Sequence, residues 1–120
     1  MTRPPVHELG AEPDPRFSYA NERTFLAWNR TALALVAAGL AATSLLPEFS
    51  VPGGRRLIGV PLIALGAMLS IISYRRWDDN ERAMRLGEPL PRSRLGLILA
   101  VGITAAAVIA TIVAAFGTAE

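Results

Sequence analysis

A chain of 120 residues that is 52% hydrophobic and 18% charged, with a mean hydropathy of +0.37, is too apolar for an ordinary soluble domain of its length. Its apolar residues gather in three blocks, 25–46, 57–74 and 95–116, and the remainder is too short to bury the core of a separate catalytic domain. A net charge of +2 makes nucleic acid a poor partner, and no cysteine is present to form a disulfide.

The first 16 residues open as "MTRPPVHELGAEP". They are rich in proline and charge, lack periodicity, and read as a disordered tail. Asp14 and Pro15 suit an N-cap and the first helical position, with Ser18 or Asn21 as later starts. The membrane domain is expected over 17–116, with its first helix over about 18–46 and Pro47 at its end. "GLAATS" offers small residues for signal cleavage, but the block is longer than a signal core, contains Arg30, and follows a tail of mixed charge. "PEFSVPGGRR" predicts a tight turn, and the second helix follows over about 56–86, with Pro61 close to its first turn, where a missing N–H costs least.

That second helix meets an interface at "YRRW", where Tyr74 and Trp77 suit an aromatic belt and Arg75 and Arg76 suit headgroups. It continues into water as "DDNERAMRLG", in which Asp78 with Arg82 and Glu81 with Arg85 are opposite charges four apart on a solvated face. Gly87 predicts its end, and Pro89 and Pro91 prevent continuation. A third helix is expected over about 95–116, followed by a stub at 117–120. At about 1.5 Å per residue, roughly 20 residues cross a hydrocarbon core of about 30 Å. The fold class expected is therefore all-α, an integral membrane bundle of three helices joined as hairpins.

All 12 basic residues are arginine, which never loses its charge. Nine of them lie before the first span or between the second and third, and two, Arg55 and Arg56, lie between the first and second. The positive-inside rule then puts the N-terminus in the cytoplasm and the C-terminus outside. Small residues recur at packing intervals: Ala34, Ala38 and Ala42 in the first helix, Gly59, Gly66 and Ser73 in the second, and Gly102, Ala106, Ala110 and Ala114 in the third. Such faces let helices approach closely in lipid, although frequent Ala and Gly would give the third pattern anyway.

No metal-ligand spacing, nucleophile elbow or phosphate-cradling glycine loop is present, and the single histidine, His7, lies in the tail. Catalysis, a cofactor and a metal are not expected. What stands out is Arg30, about 7 to 8 Å past Phe25 into the first apolar block. It returns to nearly the same helical face as Arg23, with Glu22 and Asn29 beside them and Ala27, Ala34, Ala37 and Ala41 continuing the stripe. An arginine at the centre of a span costs about 2.5 to 3.5 kcal/mol, and less near an end. Two explanations stand. Arg30 is an anchor that snorkels to the interface, or Arg23 and Arg30 line an anion-attracting mouth to which Asn29 adds hydrogen bonds.

"ANERTFLAWNRTALAL" and "YRRWDDNERAMRLGEPLPRSRLGLILA" resemble the small three-helix membrane proteins grouped with YidH, a domain of unknown function. The resemblance covers residues 17–116 and implies an inner-membrane protein with its N-terminus inside. It extends to the membrane part of the vacuolar transporter chaperone complex, which makes polyphosphate and passes it across a membrane. Basic residues of that complex's first helix and second-helix end are associated with the polyphosphate path. By motif position they correspond to Arg23 and Arg30, and less securely to Arg75 and Arg76. The polymerase and phosphate-sensing domains of that complex are absent here.

The expected partners follow from both lines of reasoning. They are the lipid bilayer and further copies of the chain, since three helices cannot enclose a pore, together with polyphosphate or another phosphate-rich anion. The alternative is a structural or assembly subunit whose small faces bind another membrane protein.

Overall fold

The computed structural model describes residues 4–46 and 52–117, so the expectations placed on Arg3, Pro47, the turn before Pro52 and the stub beyond Gly117 lie outside the described residues. Three long helices dominate: α1 (Pro15–Leu45), α2 (Gly54–Leu86) and α3 (Leu95–Gly117). Each is long and apolar enough to cross a membrane.

Their ends follow from local chemistry. The Asp14 carboxylate accepts the backbone N–H of Arg16 at 2.9 Å, with Pro15 at the first helical position. This leaves one orphan donor satisfied and spends the proline where no N–H is needed. The cap places the start of α1 three residues before the expected 18. At the end of α2, Gly87 turns left-handed (φ 68°), which lets the Glu88 N–H reach back to the Ala83 carbonyl at 2.8 Å. α2 begins at Gly54, two residues before the expected start, so Pro61 falls inside the helix rather than in its first turn. The Leu57 carbonyl therefore lacks its usual i+4 donor.

α1 and α2 form an antiparallel hairpin in close contact. Gly59, Gly66, Ser73 and Asn80 recur at seven-residue intervals on α2 and are all buried. A Cβ at Gly59 would stand 2.6 Å from the Gly39 carbonyl oxygen, and one at Gly66 would stand 2.6 Å from that of Ala32. The expected stripe on α2 is thus at the interface. On α1 the small residues at the interface are Ala32, Gly39 and Ala42, all buried; of the expected series only Ala42 lies there, whereas Ala34 and Ala38 are exposed. The reason is that several small stripes wind around one helix, and only the partner's position selects among them.

α2 is the central helix. Leu69, Leu95, Ala32 and Leu65 form one apolar cluster, and Ala42, Ile58 and Val113 another. α3 packs along α2, with Leu65 seated over Gly102 and Ala106 buried. Among the described residues, no Cα of α1 comes within 8 Å of one in α3.

With 33 residues, α2 is about 50 Å long, well beyond a core of about 30 Å. Its polar end runs beside the polar start of α1 as a two-helix stalk. There Asn21 donates to the Trp77 carbonyl (3.0 Å) and to Glu81 Oε1 (3.3 Å), and Asn80 donates to Asn21 Oδ1 (3.2 Å). Glu81 is buried against α1 in this network, so it does not form the expected exposed pair with Arg85, although Arg82 does bond Asp78 at 2.9 Å. Arg85 turns instead to the His7 and Leu9 carbonyls, and Ala11 N–H donates to the Arg85 carbonyl at 3.2 Å. Residues 4–14, expected to lack structure, lie along the end of α2 with a 3-10 turn at Val6–Glu8. Backbone carbonyls in that segment supply acceptors that composition alone does not display.

Candidate functional site

Successive helical residues are about 100° apart, which separates Asn29 from Arg30. Asn29 turns to α2. Its Nδ2 donates to the Phe25 carbonyl (2.9 Å) and to Ser73 Oγ (3.2 Å), and its Oδ1 accepts from Ser70 Oγ (2.8 Å). Ser73 Oγ donates in turn to the Ser70 carbonyl at 2.9 Å. Both ends of the Asn29 amide are thus committed to a clamp between helices, and Asn29 is not placed to receive an anion.

Arg30 turns away from α2. It is exposed, as are Tyr19, Arg23, Leu26, Leu33, Ala37, Leu40 and Ser44, which follow one another at alternating steps of four and three along the outer side of α1. Among the described residues neither Arg23 nor Arg30 has a hydrogen-bond or ion-pair partner. The stripe of alanines expected to continue their face does so at Ala27, Ala34 and Ala37, which are exposed, while Ala41 is half-buried.

Arg75 and Arg76 belong to a different place. Together with Asp79 they line a cleft of about 130 Å³ between the end of α2 and the start of α3, which Arg92 and Arg94 complete. Arg76 also reaches a second groove of about 200 Å³ beside Asn21, Thr24 and Asn80. The five expected residues therefore divide into an α1 outer face (Arg23, Arg30), a helix clamp (Asn29) and an α2–α3 cleft (Arg75, Arg76). Arg92 and Arg94 were not among the expected site residues: both pairs abut apolar blocks, but the sequence does not show which faces the hairpin sets side by side. The Asn21–Asn80–Glu81 network carried no comparable signal, since its members look like ordinary residues of a solvated helix.

Near the start of α1, the Arg16 side chain and then its backbone N–H hold the Asp14 carboxyl below its ordinary range. Among the described residues no three His, Asp or Glu side chains converge as a metal set would require.

The profile of a domain of unknown function, DUF202, matches residues 16–83, which includes α1, most of α2 and the clamp that joins them. The chain belongs to this family. It is 46% identical over 104 residues to the inner membrane protein YidH of Escherichia coli, covering 87% of this chain and 90% of that one. It is 50% identical over 99 residues to an uncharacterised protein of Mycobacterium tuberculosis, covering 82% and 81%. No solved structure matches. With its three spanning helices, this DUF202 protein is a multi-pass inner-membrane protein.

Proposed function

We propose that the protein works as a homo-oligomer in which α1 of each copy turns Arg23 and Arg30 toward a shared interior that attracts polyphosphate or another phosphate-rich anion. The observation that carries this reading is Arg30 itself, an exposed and unpaired cation on the outer side of a spanning helix. Asn29, Ser70 and Ser73 nearby all have partners. An intramembrane arginine is costly unless it meets water, protein or an anion, and one copy of three helices encloses none of these. Further copies packed on the outer face of α1 would supply an interior. The nine-to-two arginine count favours a cytoplasmic side for Arg23 and the stalk, and the polyphosphate path of the resembling complex suggests the ligand. The chain performs no catalytic step in this reading.

The test is flux of polyphosphate or a smaller anion through proteoliposomes containing the wild type or Arg30→Ala. Flux that falls with Arg30→Ala is expected. Equal flux in both, or none in either, would sink the proposal. A second reading is supported by Leu26, Leu33 and Leu40, which alternate with the arginines on the same exposed face. There the face docks another membrane protein, and purification under native conditions recovers that partner in fixed stoichiometry without conductance.

A further inference from the structure

Arg75 and Arg76 close the apolar block of α2, and Arg92 and Arg94 precede that of α3. The turn between the helices brings all four to one cleft at a single membrane boundary, floored by Ile72, with Asp79 the only carboxylate among the lining residues. Four fixed positive charges thus face one negative charge. None of the four arginines has a hydrogen-bond or ion-pair partner among the described residues. Guanidinium forks match phosphate oxygens in geometry as well as charge.

A second feature lies toward the membrane centre. Leu97, Val101 and Thr104 follow one another on a single face of α3, which begins at the residue after Arg94. On that face Ala100, Val101, Thr104 and Ala105 line a shallow hollow of about 380 Å³ whose walls are almost wholly apolar. A free phosphate would use the arginines and leave the hollow unexplained. A phospholipid uses both.

We propose that the α2–α3 cleft binds the phosphate of an anionic phospholipid, with one acyl chain lying in the hollow along the Leu97–Ala105 face of α3. The site is distinct from the outer face of α1, because Arg23 and Arg30 line neither the cleft nor the hollow. It therefore stands or falls independently of any anion flux.

The experiment uses the full chain, delipidated in neutral detergent. Its unfolding temperature is followed as phosphatidylglycerol, phosphatidylcholine or inorganic phosphate is added, and lipid retention is counted by native mass spectrometry. Phosphatidylglycerol should raise the unfolding temperature and remain bound, while the other two at equal concentration do neither. Arg92→Ala with Arg94→Ala should weaken phosphatidylglycerol binding by roughly tenfold or more, as two interfacial arginines contribute, and Arg30→Ala should leave it unchanged. Retention read by mass spectrometry applies even where the double variant is less stable. Equal effects of phosphatidylcholine, reproduction of the shift by inorganic phosphate, or wild-type retention by the double variant would each overturn the assignment.

Discussion

At the residue scale, Asn29 and Arg30 are neighbours with opposite fates, and the 100° step between them decides it. Asn29 holds α1 to α2 through Ser70 and Ser73, in surroundings where interhelical hydrogen bonds are worth about 0.6 kcal/mol on average and up to about 1.7. Asn29→Ala and Ser73→Ala should each destabilise the hairpin. Their effects should be less than additive, with a coupling energy in that range from a double-mutant cycle of unfolding in mixed detergent. Asp14 offers a pH test of the α1 cap. Its carboxyl is held below the ordinary value of 3.8 by Arg16, so the cap's contribution is fully present above pH 3.8 and is lost as pH falls through the lowered value. Protection of the Arg16 amide, its exchange relative to the intrinsic rate at each pH, should fall in that acidic range, and Asp14→Ala should remove that change in protection.

At the scale of elements, the hairpin rests on backbone proximity more than on side-chain bulk. In lipid there is little hydrophobic gain from bringing two apolar helices together, so van der Waals contact between small residues must supply the attraction. Gly66 lies where a Cβ would press on the Ala32 carbonyl, which belongs to the backbone and cannot swing aside. Gly66→Ala should therefore separate α1 from α2 locally and cost about 1 to 3 kcal/mol, measured by reversible unfolding. Ala34→Leu, on the exposed side of the same helix, should leave the monomer's stability nearly unchanged. Any effect of Ala34→Leu on oligomer size would then report contacts between copies.

At the scale of the whole molecule, the polar ends of α1 and α2 form a stalk whose interior is polar. The N-terminal segment is tied to the end of α2 through Arg82 and Arg85, which donate to the Pro4, His7 and Leu9 carbonyls. Nine of the 12 arginines lie on the stalk's side of the spans, and the charge asymmetry predicts the side on which it lies. Because the chain has no cysteine, single substitutions give unambiguous labels. Pro52→Cys should react with a membrane-impermeant maleimide in spheroplasts, whereas Glu88→Cys should react only after the membrane is opened. The reverse pattern would turn the topology over.

The three spans, their approximate limits and the glycine stop at Gly87 were legible in the sequence, because hydropathy, proline and a left-handed turn act locally along the chain. So was the small-residue stripe of α2, since one heptad series stood out there. Which stripe of α1 meets it was not legible, nor was the loss of Asn29 from the anion-facing set, nor the joining of Arg75 and Arg76 to Arg92 and Arg94. A helix presents every face to its own sequence, and only the partner helix selects the face that is buried. The tertiary structure made that selection: it placed Asn29 inward and left Arg30 on the outer side of α1.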